Sequence, residues 1–179
     1  MLEKNFDLQP FPASEHPRDL QLRVVVDRNP HILTLRYELS DPAAQVALAA
    51  PAESPLRKNN LWEETCFECF IATPGSSAYW EFNFAPSGNW NAYHFEAYRQ
   101  GMREETNFEA MPLRISRAPN VLTLIAEIDL RKMYLGNLSI QLGLTAVIKT
   151  SDDAVSFYAL AHHGAQPDFH LRESFGVEI

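Results

Sequence analysis

Residues 66–99 read CFECFIATPGSSAYWEFNFAPSGNWNAYHFEAYR. Three mostly apolar runs, at 66–72, 78–85 and 90–99, are separated by two short segments rich in Pro, Gly and Ser. Such segments are typical of turns between strands. In the second run polar and aromatic residues alternate, as they do in strands that bury one face. The stretch therefore predicts an antiparallel meander of three strands.

The register of this meander decides which side chains share a face. If the second turn centres on Ser87 and Gly88, Ala85 lies opposite Trp90. The predicted aromatic face then holds Phe67, Cys69, Ile71, Trp80, Phe82, Phe84, Asn91, Tyr93 and Phe95. The predicted polar face holds Glu68, Glu81, Asn83, His94, Glu96 and Tyr98, with Glu81 opposite His94. A shift of one residue would exchange the faces of a strand.

The rest of the chain also shows strand patterns, and no long segment sustains a 3.6-residue period. Alternation at 31–39 and 121–128 predicts half-buried strands. Hairpins are predicted between 113–117 and 121–128 and between 140–150 and 155–161, with an early strand at 20–26. One short helical turn is expected at 130–135. We predict an all-β, antiparallel β-sandwich of jelly-roll or immunoglobulin-like type, as a single domain over residues 1–179.

Composition excludes several classes of protein. The chain has 179 residues, 46% of them hydrophobic, which excludes disorder. Its net charge of −8 speaks against a nucleic-acid or anionic-membrane partner, and no apolar run reaches the roughly 20 residues of a membrane span. Residues 1–7 lack the pattern of a secretory signal, and the chain has only two cysteines. We therefore expect a cytoplasmic location.

The polar face admits two interpretations. It is either the solvated outside of a sandwich, where Glu81 and His94 form an exposed ion pair worth about 0–1 kcal/mol, or a concave binding face. In the second case carboxylates and an amide would bind hydroxyl groups, while aromatic rings would pack on the C–H faces of a sugar. Trp62 and Trp90 are the candidate platforms, and burial in the core is the alternative for each.

Two groups of residues resemble metal sites. Cys66 and Cys69 have C-x-x-C spacing, but residues three apart in a strand point to opposite faces. His162, His163, Asp168 and His170 cluster near the C-terminus, where a structural loop or one wall of the ligand site is the preferred interpretation. We predict no metal. In the predicted register Arg99 falls on the aromatic side, where it would need a carboxylate or carbonyl partner. Asp168 is a candidate, in a contact that is either structural or part of the site.

Several motifs resemble the DOMON-like proteins of bacteria, in the MurB-like subgroup, which belong with the family-nine carbohydrate-binding modules. They are residues 61–70 (LWEETCFECF), 79–90 (YWEFNFAPSGNW), 93–95, 98–102 (YRQGM), 164–170 (GAQPDFH) and 174–175. The resemblance implies a β-sandwich that binds sugar or haem, with no established activity. Related modules hold sugar between two tryptophans, which would point to Trp62 and Trp90. Haem-binding members use Met and His ligands, but Met102, Met111 and Met133 lack a matching context, so no cofactor is predicted.

These observations predict a non-catalytic binding module for a small polar ligand, with a carbohydrate favoured. The predicted ligand-binding residues are Trp62, Glu68, Glu81, Asn83, Trp90, His94, Tyr98, Arg99, Asp168 and His170. Three alternatives stay open. The protein could be an acid–base enzyme that uses Glu68, Glu81 or His94 on a sugar-like substrate, a haem-binding domain, or a domain that docks a partner protein through a sheet edge or an aromatic patch.

Overall fold

A computed structural model describes residues 3–179, which form thirteen strands and three short 3-10 helices. The strands are β1 Lys4–Asp7, β2 Gln9–Pro10, β3 Gln21–Arg28, β4 Ile32–Ser40, β5 Cys66–Ala72, β6 Tyr79–Phe84, β7 Trp90–Phe95, β8 Arg103–Glu104, β9 Leu113–Ala118, β10 Val121–Asp129, β11 Gln141–Lys149, β12 Val155–Ala159 and β13 Val177–Glu178. The 3-10 helices are Leu61–Glu63, Leu130–Met133 and Arg172–Ser174.

Two antiparallel sheets pack against each other, which confirms the predicted β-sandwich. The first sheet has the order β1-β3-β4-β10-β9, and the second has the order β2-β12-β11-β5-β6-β7-β8, with β13 beside β11. The predicted helical turn is Leu130–Met133, and the other two 3-10 helices were not predicted. Across residues 3–179, no helix has the length and apolar character that a membrane crossing requires.

The main core lies between the sheets and follows the predicted alternation. In β4, Leu33, Leu35, Tyr37 and Leu39 are buried, while the residues between them are partly exposed. The hydroxyl of Tyr37 donates a hydrogen bond of 2.7 Å to the main-chain carbonyl of Glu68 in the opposite sheet. A polar atom buried in the core is thereby satisfied, and the two sheets are joined near the centre of the second one.

The prediction for β7 is wrong by one residue. Phe84 pairs with Trp90, and Trp80 pairs with His94. The predicted faces of β5 and β6 are correct, because Phe67, Cys69 and Phe82 all lie in the main core. In β7 the faces are exchanged: Trp90, Ala92 and His94 share the inner face with Trp80, whereas Asn91, Tyr93 and Phe95 share the outer face with Glu81.

The loop between β6 and β7 explains this shift. The main-chain N–H of Ala85 donates to the carbonyl of Asn89 at 2.9 Å, which closes a loop of three residues. Gly88 has a φ of +93°, a left-handed conformation that suits the last position of such a loop. The predicted pairing of Ala85 with Trp90 would have required four loop residues. Because side chains alternate along a strand, a loop of three residues in place of four turns every following side chain of β7 to the opposite face.

The outer face of the second sheet is covered rather than solvated. A second hydrophobic cluster lies there and includes Phe70, Tyr79 and Phe95 from the strands together with Phe169 and Phe175 from the C-terminal segment. Gly143 of β11 makes the close approach possible, since a Cβ at this position would lie 3.0 Å from the Phe175 ring. The C-terminal segment between β12 and β13, residues 160–176, therefore covers part of the second sheet as a third layer. We call it the covering segment.

Candidate functional site

A cavity of about 370 Å³ opens between this covering segment and the outer face of the second sheet. Ligand pockets range from about 300 to 1,000 Å³, so this one is suited to a small molecule. It is lined by Trp62, Glu68, Glu81, Phe95, Arg99, Met102, Val147, Phe157, Pro167, Phe169 and His170. Strands β5, β6, β7, β11 and β12 contribute five of these residues, and connecting segments contribute the others.

Two buried glutamates are the acidic groups of this cavity. Glu68 is 3% exposed and accepts a hydrogen bond of 3.3 Å from the hydroxyl of Thr145. Glu81 is 5% exposed and accepts one of 2.9 Å from the amide of Asn83. Burial raises the pKa of Glu81 to about 7, and burial together with the charge of Glu81 raises the pKa of Glu68 well above its ordinary value. A ligand that donates hydrogen bonds to these two carboxyl groups would favour their ionised forms.

His170 stands beside Glu81 as a neutral imidazole. Burial lowers the pKa of His170 to about 4. Its Nδ1 lies 2.8 Å from the hydroxyl of Tyr79, which also accepts the main-chain N–H of Arg99 at 3.2 Å. Since this hydroxyl already accepts one hydrogen bond, its proton is available to Nδ1. In the tautomer in which Nδ1 accepts this proton, the proton of His170 is on Nε2, which lies 3.8 Å from Oε2 of Glu81.

Arg99 lines the cavity and contacts Asp168, as predicted. The guanidinium of Arg99 lies 2.9 Å from Oδ1 of Asp168, and the hydroxyl of Tyr98 donates to Oδ2 at 2.5 Å. Burial acts against ionisation of Asp168, but the hydrogen bonds from Tyr98 and Arg99 prevail and lower its pKa. The pair joins the turn after β7 to the C-terminal segment.

The two candidate tryptophans occupy different environments. Trp62 lines the cavity, where its ring packs 5.9 Å from that of Tyr93. Trp90 is 3% exposed within the main core, and the guanidinium of Arg57 lies 4.4 Å from the centre of its ring. The structure thus leaves no face of Trp90 open to a ligand, because the register of β7 turns this ring inward.

Four other predicted residues do not line the cavity: Asn83, His94, Tyr98 and Asp168. His94 packs on the core side against Trp80, with ring centres 4.9 Å apart, so the predicted Glu81–His94 pair is wrong. The histidine beside Glu81 is His170. Asn83 is fully buried and contacts Glu81 without lining the cavity. Asn83 therefore orients the carboxyl group of Glu81.

Six lining residues were not predicted: Phe95, Met102, Val147, Phe157, Pro167 and Phe169. Phe95 was assigned to the core by the incorrect register. The signal for Val147 is in the sequence, since residues 142–148 (LGLTAVI) are almost continuously apolar, which is typical of a strand covered on both faces. Met102, Pro167 and Phe169 lie in irregular segments, where no periodic pattern assigns a face.

The possible metal ligands are dispersed. Cys66 and Cys69 are free, buried thiols on opposite faces of β5. The Nε2 of His162 lies 2.9 Å from the main-chain carbonyl of Gln9, away from the cavity. In the part of the chain that the structure describes, no group of three or more His, Cys, Asp or Glu side chains is arranged to hold a metal ion.

Comparison with known proteins supports the fold. No protein-family model matches the chain, and no curated protein matches it significantly. A protein of proposed carbohydrate-binding function from Bacteroides uniformis ATCC 8492 has a similar structure, with a TM-score of 0.67 and 14% identity over 96% of this chain and 84% of the other.

A family-nine carbohydrate-binding module from Caldicellulosiruptor kristjanssonii is also similar. Its complex with cellotriose has a TM-score of 0.51 and 10% identity, over 87% of this chain and 72% of the other. Its complex with glucose gives the same TM-score and identity, over 86% and 73%.

These similarities contradict the expected cytoplasmic location. Carbohydrate-binding modules, to which the chain is similar, are typically extracellular or secreted. The inference from cysteine usage fails for a physical reason. Cys66 and Cys69 are fully buried and point to opposite faces of one strand, so they cannot form a disulfide with each other in any compartment. Their reduced state carries no information on location.

Proposed function

We propose that the chain is a binding module that holds a small carbohydrate in the cavity of the outer face. The observation that carries this proposal is the presence of two buried carboxyl groups, Glu68 and Glu81, in one cavity with the rings of Trp62, Phe95 and Phe157. Sugars need both kinds of group, because their hydroxyls require hydrogen-bond partners and their C–H faces pack on aromatic rings.

The proposed roles follow from the contacts. Trp62 is the aromatic platform, and Glu68 and Glu81 accept hydrogen bonds from ligand hydroxyls. Arg99 and His170, which line the same cavity, are the donors. Asn83 and Asp168 act indirectly, because each one contacts a lining residue, Glu81 or Arg99, through a hydrogen bond. Tyr98 acts one step further away, since its hydroxyl donates to Asp168. Trp90 and His94 have no role in this proposal.

Two observations support the carbohydrate and the finer family assignment. The similar structures from C. kristjanssonii hold cellotriose and glucose. The motif residues Trp62, Glu68, Glu81, Arg99 and His170, which come from four separate segments of the sequence, line one cavity. We therefore also propose that the chain is a member of the DOMON-like proteins, in the MurB-like subgroup, and that residues 1–179 act as one module.

Titration of the protein with glucose and with cello-oligosaccharides tests this function. We expect saturable binding in calorimetry and a change in tryptophan fluorescence. The variant Trp62→Ala should lose the fluorescence change and bind roughly fivefold more weakly, since stacking on an aromatic ring contributes about 1 kcal/mol. The variant Tyr134→Ala, at an exposed position far from the cavity, is the control. No saturable response to any sugar of a broad panel would overturn the proposal.

Acid–base catalysis is the second candidate, and it is favoured by one observation. The pKa of Glu81 is raised to about 7 by burial, and a neutral His170 lies next to it. Groups with shifted pKa values in a cavity are a frequent property of catalytic sites. Product formation from a sugar substrate that Glu81→Gln abolishes, with binding retained, would establish the enzyme. Binding without turnover supports the module.

Haem binding has less structural support. The nitrogens of His170 are directed at Tyr79 and Glu81, so neither is presented freely to an iron atom. Met102, which also lines the cavity, is about half exposed. We expect no Soret band from bound haemin. A Soret band that His170→Ala abolishes would favour haem over sugar.

A further inference from the structure

Glu68 and Glu81 are acidic groups that the cations of the cavity do not fully balance: the charge of Arg99 lowers the pKa of Glu81, but burial outweighs this effect and raises it. Among the described residues that line the cavity, Arg99 is the sole Lys or Arg, and its guanidinium is already paired with Asp168 at 2.9 Å. His170 is kept neutral by its burial, which lowers its pKa to about 4. A buried carboxylate without a cationic partner is unfavourable, and a ligand with a positive charge would remove this penalty.

Each of the two carboxyl groups also retains an oxygen without a hydrogen-bond donor from residues 3–179. Thr145 donates to Oε2 of Glu68, and Asn83 donates to Oε1 of Glu81. Oε2 of Glu81 lies 3.8 Å from Nε2 of His170, which is beyond hydrogen-bond distance. Both side chains are more than nine-tenths buried and line the cavity, so their open oxygens are available to a ligand.

We propose that the ligand of this cavity carries a protonated amine that is bound by Glu68 and Glu81, and that its class is the amino sugars. The assignment to sugars depends on the proposed function, whereas the assignment to amines depends on the two glutamates. An ammonium group supplies three N–H donors and one positive charge, which matches two oxygens that lack donors. The rings of Trp62 and Phe95 in the same cavity also favour a cation over a neutral group.

Calorimetric titration near neutral pH with glucosamine, glucose and N-acetylglucosamine tests the proposal. Glucosamine should bind roughly ten- to a hundredfold more tightly than the other two, because its ammonium forms charge-assisted hydrogen bonds. Cyclohexylamine and cyclohexanol extend the comparison to ligands that are not sugars. If glucose or N-acetylglucosamine binds as tightly as glucosamine, the amine proposal is wrong and the carbohydrate function stands. If cyclohexylamine binds and no sugar does, the amine proposal stands and the carbohydrate function is wrong.

Variants of the two glutamates identify the groups that are responsible. Glu68→Gln and Glu81→Gln should each remove most of the preference for glucosamine over glucose, while the affinity for glucose changes far less. The control is Glu109→Gln, at an exposed position outside the cavity. A preference that survives both substitutions would overturn the proposal. Where a variant fails to fold, the comparison of glucosamine with N-acetylglucosamine on the unaltered chain gives the decision.

Discussion

The hydroxyl of Tyr79 lies 2.8 Å from Nδ1 of His170, so the first residue of β6 is joined directly to the C-terminal segment. The same oxygen accepts the main-chain N–H of Arg99, in the turn after β7, at 3.2 Å. Three parts of the chain that border the cavity therefore meet at one atom. This atom holds the covering segment at a fixed distance from the sheet.

The substitution Tyr79→Phe removes this oxygen and leaves the ring in place. We expect the free energy of unfolding to fall by about 1–2 kcal/mol, since Nδ1 of His170 and the N–H of Arg99 both lose a partner. Urea unfolding with an unchanged m-value measures the effect. The matched control is Tyr134→Phe, because Tyr134 is 87% exposed, and it should change stability by less than about 0.5 kcal/mol. Equal effects of the two substitutions would contradict this prediction.

Arg99 adopts a left-handed backbone conformation, with a φ of +52°. Both Arg99→Gly and Arg99→Ala remove the contact with Asp168, but only glycine adopts this conformation without strain. The glycine variant should therefore be more stable than the alanine variant by about 1 kcal/mol. Thermal or urea unfolding of the two proteins checks the order. An alanine variant as stable as the glycine variant would show that the backbone at this position is relaxed.

The raised pKa of Glu81 makes the stability depend on pH. Its folded-state pKa of about 7 exceeds the ordinary value of 4.5, so the folded protein holds a proton that the unfolded chain releases between these two values. The contribution of Glu81 to the free energy of unfolding is therefore complete below pH 4.5 and is lost as the pH rises through about 7. His170, with its pKa lowered from 6.5 to about 4, acts in the opposite direction: its contribution is lost as the pH falls through about 4.

Because these two effects oppose each other, the difference between Glu81→Gln and the parent protein is the quantity to measure. Glutamine resembles the protonated acid and does not titrate. As the pH rises from acidic to mildly alkaline, the free energy of unfolding of the variant should therefore increase relative to that of the parent by on the order of 1–3 kcal/mol. Unfolding measured along a pH series gives this difference. A difference that is constant with pH would mean that Glu81 titrates normally in the folded protein.

Gly88 fixes the loop that sets the register of β7. A Cβ at this position would lie 2.9 Å from Cγ of Pro55, and the φ of +93° disfavours any other residue. We expect Gly88→Ala to reduce stability by roughly 2 kcal/mol, from strain and from this contact. Gly75 also has a positive φ, of +78°, but a Cβ there meets nothing within 4 Å. Gly75→Ala should therefore show the smaller loss, and the reverse order would refute the role of the contact with Pro55.

The alternation in β5 and β6 was sufficient to predict both faces of these strands. Glu68 and Glu81 are diagonal neighbours on one face, as expected. In β6 polar and aromatic residues alternate, and in β5 Phe67, Cys69 and Ile71 mark the face opposite to Glu68. The prediction for β7 failed because this strand has aromatic residues on both faces, with Trp90 on the inner face and Tyr93 and Phe95 on the outer face. Such a strand fits either register by composition, and the register depends on the number of loop residues, which in turn depends on the conformation of Gly88.

The covering segment could be predicted only in part. Asp168 was named as a candidate partner of Arg99 because a guanidinium on the aromatic side would need a carboxylate or carbonyl, and this contact is present although the register of β7 differs. The approach of Phe169 and Phe175 to the sheet has no periodic signature in the sequence, since neither residue belongs to a strand. The sequence alone therefore left open whether the outer face is solvated or forms a site.

The covering segment is separate from the hydrophobic core between the sheets, so substitutions in the two regions affect different properties of the protein. Phe169 and His170 shape one side of the cavity, yet neither belongs to the hydrophobic cluster between the sheets. Substitutions there can alter which molecule is accepted while leaving the packing of the two sheets intact. Selectivity can thus diversify through a stretch near the end of the chain, with little penalty for the scaffold beneath it.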